Sequence, residues 1–385
     1  MLKGIFKRWY AKIGRLQNMK ILQITYSLAS GGAERFVVDL SNELAKNKEN
    51  EVYLLVIRDL NIPKNSHYLP ELSKEVKCLN IGTTKGLCRK SIIGVCKAIK
   101  DIKPDIVHAH CDLTLLYLPS LLYKKPQYIH TLHTVAENNI VHKKLKRLQR
   151  FLYNKYVQGI TISNTCQKSF TDFYNLDNSS ICIVNGRAKM LPTSMFENVK
   201  AEINGYKNGR NIPVFIHVGR FYPEKNQKRM FDAIEILHKN GKEFLLIVLG
   251  INYKNSPYME LNKTNYIKIL GAKNNVTDYL ACADYFLLSS DWEGLPLAML
   301  EAMSMGCIPI STPAGGVVDV IKDGVNGLLC PTFDTDDYYR TIEKVFEKDF
   351  SIIKETVMND YQENYTMEVC ANKYFNVYEQ LCRNK

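Results

Sequence analysis

Short apolar segments alternate with longer amphipathic ones in this sequence, and the alternation restricts the folds open to it. The first series opens with Ile21 to Thr25, a glycine turn and a helical pattern from Glu34 to Lys46, and a second series opens with Val214 to Val218. Short apolar runs bounded by turn signals are typical of buried strands, and strands that alternate with helices pair in parallel. The pattern therefore predicts an α/β protein with two parallel sheets.

Further strands are expected in both series. The first series predicts them at Val52 to Ile57, Ile106 to Ala109, Tyr128 to Leu132 and Gly159 to Ile162. The second predicts them at Phe244 to Leu249, Tyr266 to Leu270, Tyr285 to Leu288, Ile308 to Ser311 and Gly327 to Leu329. Sheets of this kind bind ligands at the carboxyl ends of their strands, so we expect the functional residues there.

A polar, glycine-dotted stretch over residues 198–211 separates the two series and predicts a domain boundary. We expect an N-terminal domain over residues 19–195 and a C-terminal domain over residues 205–361. Residues 362–385 are predicted to form a last helix, and whether it packs back on the first domain stays open. A chain of 385 residues is long enough for two domains that each bury a core.

Composition excludes several classes of protein. The chain is 46% hydrophobic and 23% charged, as in ordinary globular proteins. Its apolar runs are far shorter than the ~18 residues that span a bilayer. Eleven cysteines without a Cys-x-x-Cys pair suit neither a disulfide framework nor a zinc site, so we expect a cytoplasmic protein.

The basic excess lies entirely in the first half of the chain. Residues 1–190 hold 30 Lys and Arg against 14 Asp and Glu, a net +16, whereas the remainder holds 21 against 25, a net −4. Such a field favours nucleic acid, anionic lipid or an anionic substrate as the partner. Because basic motifs interleaved with aromatic residues are missing, we expect no nucleic acid partner.

Two basic segments, residues 1–18 and 142–150, carry apolar residues at helical spacing. This pattern is typical of a helix at an anionic membrane surface, which would make the protein peripheral on the inner face of the membrane. Other interpretations stay open. The first segment could be a disordered basic leader or lie upstream of the true start, and the second could be the solvated face of a packed helix.

The strongest signal for chemistry lies between Ser290 and Met303. Seven residues separate Glu293 from Glu301, and between them Gly294 precedes an apolar helix that is predicted to start at Pro296. A helix amino terminus attracts anions, so residues 294–297 are candidates to hold a phosphate while the two carboxylates hold sugar hydroxyls. Glu301 has no basic residue three or four positions away. It therefore either meets backbone amides or a distant arginine in a packing role, or it binds a ligand.

Cations and glycines follow other predicted strands. Arg220 and Lys225 leave the end of the first strand of the second series, where two cations can hold a pyrophosphate. In the first series, Gly31 and Gly32 follow the first strand and His133 follows a later one. An isolated histidine or glycine pair is more often structural, and it is the shared strand-end position that favours a ligand site.

In this order and spacing, the motifs resemble those of the retaining glycosyltransferases of family 4, over residues 19–385. They are Gly31-Gly32-Ala33-Glu34, His133, Gly219-Arg220 with Lys225, Glu293-x7-Glu301, Gly315-Gly316 and Asp323-Gly324-x-Asn326-Gly327. One departure is Asn185-Gly186-Arg187, since the family usually has an aliphatic residue in the third position. The resemblance implies the GT-B fold, an α/β architecture of two Rossmann-like domains facing a central cleft.

The resemblance also implies an activity: a hexosyltransferase that moves a sugar from a nucleotide-diphosphate sugar to a hydroxyl of a lipid-linked or growing polysaccharide acceptor. It implies no metal and no cofactor beyond the donor. The roles that it implies cover ten residues. Arg220 and Lys225 would hold the pyrophosphate, Glu301 the ribose, and Glu293 with the backbone of Gly294, Leu295 and Leu297 the sugar and phosphate, while Gly31 and Gly32 would approach the donor and His133 would lie beside the reacting sugar.

The spacing of the two carboxylates bears on mechanism. A double displacement needs a nucleophilic carboxylate and two carboxyl groups about 5 Å apart, whereas eight residues along a helix span about 12 Å. We therefore expect front-face substitution with retention, in which the departing phosphate oxygen takes the acceptor's proton. The alternatives are a sugar-nucleotide epimerase of the same architecture and, less favoured, a basic nucleic-acid-binding protein.

Overall fold

The computed structural model of the protein describes residues 18–139, 145–176 and 180–383. Residues 1–17 of the expected leader and residues 142–144 of the expected basic segment lie outside this described part. None of the described helices is both long and apolar enough to span a lipid bilayer.

The chain forms two compact units. The first takes in the described chain up to Ile160, Phe170–Ile183 and the chain from Ala371 onward. The second takes in Thr161–Ser169 and Val184–Cys370. The chain therefore passes between the units more often than two consecutive domains would require.

The first unit is built on a seven-stranded sheet. In chain order its strands are β1 (Lys20–Thr25), β2 (Glu51–Arg58), β3 (Lys77–Thr83), β4 (Ile106–Ala109), β5 (Gln127–Leu132), β6 (Val157–Thr161) and β7 (Ser180–Cys182). Their spatial order is β3-β2-β1-β4-β5-β6-β7. The β1 strand lies between β2 and β4, and all three run parallel, so their carboxyl ends share one edge of the sheet.

The second unit is built on a six-stranded parallel sheet. Its strands are β8 (Val214–Val218), β9 (Leu245–Leu249), β10 (Ile267–Gly271), β11 (Tyr285–Leu288), β12 (Ile308–Ser311) and β13 (Leu328–Leu329). Their order is β10-β9-β8-β11-β12-β13. The strand order reverses between β8 and β11, which pair in parallel, and such reversal points are where open α/β sheets bind ligands.

Thirteen α-helices of the described residues cover these sheets. They are α1 (Gly32–Ala45), α2 (Arg89–Ile102), α3 (Tyr117–Leu122), α4 (Ala136–Asn139), α5 (Lys146–Lys155), α6 (Asn164–Tyr174), α7 (Phe196–Lys207), α8 (Gln227–Lys239), α9 (Val276–Ala281), α10 (Leu297–Ser304), α11 (Thr335–Glu343), α12 (Ser351–Asp360) and α13 (Met367–Arg383). A π-helical turn, Tyr361–Tyr365, precedes α13.

The unit limits differ from the domain limits 19–195 and 205–361 that we drew from the sequence. The stretch over 198–211 is largely the helix α7, which buries Val199 and Ile203. Residues 184–195 belong to the second unit, because Asp278 accepts two 2.6 Å bonds from the backbone and side chain of Thr193. The polar residues of 198–211 lie on the surface of a helix and do not form the linker that the sequence predicted.

The last helix contributes to the first unit from Ala371 onward. Tyr374 and Tyr378 are fully buried there. The Tyr378 hydroxyl accepts a 3.2 Å bond from Gln23 of β1, and the Tyr374 hydroxyl lies 3.1 Å from the Thr131 hydroxyl of β5. Buried hydroxyls need such partners, so these bonds fix where α13 lies on the sheet.

Candidate active site

A lysine and a glutamate meet where the strands β8 and β11 end. Lys225 closes a short 3-10 turn after β8, and Glu293 lies five residues beyond β11. The Lys225 Nζ donates to Glu293 Oε1 at 2.6 Å, and the Ser290 hydroxyl donates to the same oxygen at 2.6 Å. Glu293 is buried, whereas the Lys225 side chain is 29% exposed. The strand-end argument thus brought together two residues 68 positions apart.

Arg220 leaves the same end of β8 with an exposed side chain. Its carbonyl oxygen accepts a 2.7 Å bond from the Gln227 side chain at the start of α8. The turn is fixed by Gly250, which has φ +146°, since a Cβ there would lie 1.9 Å from the Gly219 carbonyl oxygen. Only glycine permits that approach. The backbone at Arg220 is therefore held firmly, while its guanidinium remains accessible.

The loop from Ser289 to Glu293 is tied to α8 by a buried arginine. Arg229 donates to Asp291 Oδ1 and to the Ser289 carbonyl oxygen, both at 2.7 Å. The Asn226 amide donates to both Asp291 oxygens at 3.0 Å. Charge-assisted bonds of this kind are the stronger ones in proteins, so the loop that carries Glu293 has a defined shape.

Two glycines support the other side of that loop. A Cβ at Gly315, which has φ +55°, would lie 1.8 Å from the Glu293 carbonyl oxygen. A Cβ at Gly316 would lie 2.0 Å from the Gly294 carbonyl oxygen, which accepts a 3.1 Å bond from the Gly316 amide. The glycine turn after β12 therefore permits backbone contact with the Glu293 loop.

The helix α10 starts directly after this loop. Pro296 is its N-cap rather than its first residue, and makes no side-chain cap bond. Gly294, Leu295 and Leu297 are buried around it. An amino terminus that lacks a side-chain cap can direct its first-turn amides to an anion. The three residues predicted to bind phosphate through their backbone thus surround a helix start next to Glu293.

Glu301, on α10, is paired with the residue that departs from the family pattern. The Arg187 Nε donates to Glu301 Oε1 at 2.7 Å, and their side chains are 3% and 16% exposed. The Arg187 backbone is held in turn, because its carbonyl oxygen accepts from the Met367 amide at 3.0 Å and the Tyr361 hydroxyl at 2.7 Å. A distant arginine, one of the expected partners, thus holds Oε1; the assignment of Glu301 to the ribose stays a prediction.

The first unit has its own strand-end group. Gly31 is the N-cap of α1 and Gly32 its first residue. A Cβ at Gly32 would meet no heavy atom of the described residues within 4 Å, so internal packing does not require glycine there. Phe36, on the same helix, packs edge-on against the His133 ring at 5.3 Å between centroids. The predicted Gly31-Gly32 and His133 positions therefore lie at one edge of the sheet.

His133 is partly buried and joined to a second histidine. Its Nε2 lies 3.0 Å from His110 Nδ1, and His110 Nε2 lies 2.7 Å from Gln23 Oε1. Burial, helped by the charge of His130, lowers the pKa of His133 to about 3. His133 is consequently neutral at ordinary pH and can exchange hydrogen bonds with a ligand but not supply a positive charge.

His130, the other histidine of this strand, is a core residue. It is fully buried, with Nδ1 2.6 Å from the Tyr153 hydroxyl and Nε2 2.7 Å from the Cys111 carbonyl oxygen. Burial lowers its pKa to about 4. Both ring nitrogens are satisfied internally, as in an ordinary structural histidine.

Two family models match the chain. Glycosyl transferases group 1 matches residues 199–364, and Glycosyltransferase Family 4 matches residues 30–186. The chain belongs to these glycosyltransferases. The resemblance to glycosyltransferase family 4, drawn from the motifs, is thereby confirmed.

Relatives of this glycosyltransferase include two named bacterial enzymes. The Escherichia coli UDP-Gal:alpha-D-GlcNAc-diphosphoundecaprenol alpha-1,3-galactosyltransferase is 28% identical over 327 residues, or 80% of this chain and 83% of that one. The Campylobacter jejuni N,N'-diacetylbacillosaminyl-diphospho-undecaprenol alpha-1,3-N-acetylgalactosaminyltransferase is 21% identical over 361 residues, or 88% and 93%. Both names describe sugar transfer and give no support to the epimerase alternative.

The fold is that of known structures. HepE from Anabaena, solved in complex with UDP and glucose, matches the glycosyltransferase with a TM-score of 0.76 at 18% identity, over 94% of this chain and 100% of that one. The protein has the α/β GT-B fold, with two Rossmann-like units, as the resemblance implied.

Sequence reasoning missed two groups of the glycosyltransferase. The buried Arg229 and the exposed Asp291 form the ion pair that holds the Glu293 loop; the signal was an arginine on the apolar face of α8 and an acid two residues before Glu293. His110 and Gln23 lie behind His133. Gln23 inside an apolar strand was a visible signal, because a buried amide needs partners.

Among the described residues, no group of three or more His, Cys, Asp or Glu side chains is arranged to hold a metal ion. His110, for example, is bonded to His133 and to Gln23.

Proposed function

We propose that this glycosyltransferase transfers a hexose from a nucleotide-diphosphate sugar to a hydroxyl of a lipid-linked or growing polysaccharide acceptor, with retention of anomeric configuration. The observation that carries the proposal is the Lys225–Glu293 pair at the uncapped start of α10. A cation, a carboxylate and a helix amino terminus in one place suit a molecule that carries phosphate beside hydroxyls. The Escherichia coli and Campylobacter jejuni relatives, whose names specify diphosphoundecaprenol-linked acceptors, support the acceptor class.

We assign the donor to the second unit. Arg220 and Lys225 would bind the pyrophosphate together with the first turn of α10, reached through Gly294, Leu295 and Leu297. Glu293 would bind a sugar hydroxyl and Glu301 the ribose. The pairing of Lys225 with Glu293 supports this assignment, because it holds the ammonium beside the helix terminus before any phosphate arrives. UDP and glucose bound to HepE support a nucleoside diphosphate with a hexose.

We assign the acceptor to the first unit, along with contacts to the donor from Gly31, Gly32 and His133. The open space at Gly32 supports close approach of a ligand to the backbone there. His133, held neutral by burial, would exchange a hydrogen bond with a hydroxyl of the reacting sugar.

For the chemistry, we propose front-face substitution. The anomeric carbon loses its bond to the phosphate oxygen and gains a bond to the acceptor oxygen on the same face, while the acceptor's proton passes to the departing phosphate oxygen. The charge on the leaving diphosphate would be stabilised by Arg220, Lys225 and the α10 terminus. Both carboxylates are engaged by cations, Glu293 by Lys225 and Glu301 by Arg187, which favours binding roles over nucleophilic attack. With these charges in place we expect turnover to persist in EDTA.

The test is a panel of nucleotide sugars, offered with and without a lipid-linked acceptor and followed by release of nucleoside diphosphate. We expect acceptor-dependent product whose anomeric configuration, read by NMR, equals that of the donor. Glu301→Ala and Arg220→Ala should each nearly abolish turnover, whereas the surface control Arg210→Ala should not. Free epimerised sugar without acceptor-dependent product would refute the transferase, and a glycosyl azide formed by Glu293→Ala in azide would refute the front-face mechanism.

We propose, in addition, that the protein attaches peripherally to the anionic inner face of the membrane. On α5, Arg147, Arg150 and Lys155 are exposed beside Phe151, which is 44% exposed. An exposed aromatic among basic residues suits a lipid headgroup layer. Residues 1–18 and the rest of 142–150 would add to this surface.

Liposome sedimentation tests the attachment. Replacing Arg147 and Arg150 by Gln should reduce binding to vesicles that contain anionic lipid, by a factor that shrinks as salt is raised. Lys228→Gln, an exposed cation of the second unit, serves as the control. Unchanged sedimentation of both the α5 variant and a variant without residues 1–18 would refute the proposal.

A further inference from the structure

A hydrogen-bonded network of polar side chains lies behind the sheet edge and ends at His133. Gln23, on β1, is fully buried, and its Oε1 lies 2.7 Å from His110 Nε2. His110 Nδ1 lies 3.0 Å from His133 Nε2. On its other side, the Gln23 Nε2 donates to the Tyr378 hydroxyl at 3.2 Å, which lies 2.7 Å from His108 Nδ1. His133 is the partly exposed end of this network.

In this network, the direction of each hydrogen bond fixes the direction of the next. Burial lowers the pKa of His110 well below its ordinary value, so its ring is neutral, and a neutral imidazole has one N–H and one lone pair. Gln23 Oε1 can only accept, so His110 must donate from Nε2 and accept at Nδ1. His133 must then donate from Nε2, which leaves the lone pair on its Nδ1.

The second arm agrees with this orientation. Tyr378 accepts from Gln23 and so donates to His108 Nδ1, and His108 Nε2 donates to the Thr131 hydroxyl at 2.8 Å. The Thr131 hydroxyl in turn can donate to Tyr374. If the Gln23 amide were reversed, every one of these bonds would reverse, and His133 would carry its proton on Nδ1. The Gln23 amide therefore determines which ring nitrogen of His133 accepts a hydrogen bond.

We propose that Gln23 is a positioning residue, which acts through His110 to keep His133 in the tautomer whose Nδ1 accepts a hydrogen bond. In the reaction, that nitrogen would accept a hydrogen bond from a hydroxyl of the sugar being transferred. This last step rests on the proposed function, whereas the tautomer itself does not.

His130 supplies an internal reference. Its Nε2 faces the Cys111 carbonyl oxygen, which can only accept, so the backbone fixes the proton on Nε2 and the Tyr153 hydroxyl donates to Nδ1. Both His130 and His133 are thus assigned the same tautomer, but only the assignment of His133 depends on Gln23.

The decisive measurement is the tautomer by NMR of the full-length protein labelled with ¹⁵N-histidine. In the wild type we expect both His130 and His133 to be protonated on Nε2. Gln23→Met keeps the length of the side chain and removes both amide bonds; we expect the His133 signal to shift toward a mixture of tautomers while the His130 signal stays. Tyr153→Phe, which removes a buried hydroxyl elsewhere in the same core, should leave His133 unchanged. Protonation of His133 on Nδ1 in the wild type would overturn the proposal even if Gln23→Met does not fold.

Kinetics test the use of this tautomer. Gln23→Met should lower kcat by about tenfold, the effect of one misdirected hydrogen bond, with little change in the donor KM, and Tyr153→Phe should change neither. A changed His133 signal with unchanged kcat would overturn the positioning role. If the wild type transfers no sugar from any donor, the proposed function fails, but the NMR result still decides the tautomer.

Discussion

At the residue scale, the buried arginine at position 187 has the clearest energetic consequence. Arg187→Met removes the partner of Glu301 and leaves a carboxylate that is only 16% exposed. Loss of one member of a buried pair costs about 3 kcal/mol or more, and partial exposure of Glu301 reduces this to about 2 kcal/mol. Because Glu301 also loses its fixed orientation, the donor KM should rise roughly tenfold with kcat unchanged.

Urea unfolding and donor kinetics check this expectation. The matched control is Arg210→Met, since Arg210 and Glu243 form a pair at the surface with side chains 31% and 64% exposed. Such pairs contribute about 0–1 kcal/mol. Equal stability of the two variants would show that the Arg187–Glu301 bond does not hold the second unit together.

The residues of the site differ in how far the sequence could predict them. Lys225 and Glu293 each follow a strand, so the rule that parallel strands end at one edge was enough to place them together. Arg187 and Glu301 are 114 positions apart, and Arg187 is held by a turn of π-helix near the end of the chain. No local pattern encodes such a contact, so the sequence could leave only two alternatives open for Glu301.

At the element scale, the Glu293 loop depends on the glycine turn after β12. Gly316→Ala places a methyl group 2.0 Å from the Gly294 carbonyl oxygen, a backbone atom that cannot move without moving the loop. We expect a loss of about 1–3 kcal/mol in stability, as for other overpacked sites, and a fall in donor turnover greater than tenfold, since a misplaced anion site costs that much.

The control for Gly316→Ala is Gly205→Ala in the helix α7. A Cβ there would meet no heavy atom of the described residues within 4 Å. Alanine is the better helix former by roughly 0.5–1 kcal/mol, so this variant should be as stable as the wild type or more so, with normal turnover. Normal turnover in Gly316→Ala would mean that the loop tolerates displacement and does not form the anion site.

Strands were predictable in proportion to their burial. The strands β4, β11 and β12 have the bounds that their apolar runs predicted, and all their residues are buried. The edge strand β3 was missed, because most of its residues are exposed and its sequence, Lys-Cys-Leu-Asn-Ile-Gly-Thr, has no apolar run. The hydrophobic signal records contact with the core, and an edge strand makes little of it.

At the scale of the whole molecule, the two units differ in their buried histidines. The first contains His108, His110 and His130, which are at most 8% exposed, and the second contains His217, which is fully buried. Burial lowers the pKa of His130 and of His217 to about 4, and those of His108 and His110 well below the ordinary value. Because the units differ in the number of these histidines, we expect their stabilities to respond differently to acid.

The sign of that response follows from proton uptake. Unfolded histidines titrate near pH 6.5, so below this pH the unfolded chain binds protons that the folded chain refuses. The contribution of these histidines to the free energy of unfolding is fully present above about pH 6.5 and is lost as the pH falls toward 4. At pH 5.5 the loss is roughly 1 kcal/mol for each buried histidine. His133, although partly exposed, has a lowered pKa as well. Four such residues in the first unit against one in the second predict that acidification lowers the unfolding temperature of the first unit by more than that of the second.

Two probes separate the units in a thermal scan. The chain has two tryptophans, Trp9 and Trp292, so in Trp9→Phe the fluorescence reports only on Trp292 of the second unit, while circular dichroism reports on both. At pH 5.5 we expect a dichroism transition that precedes the fluorescence transition, with a smaller separation at pH 7.5. His67→Gln, at an exposed histidine, should not alter the separation, whereas transitions that coincide at both pH values would mean that the buried histidines do not make the first unit the more acid-sensitive one.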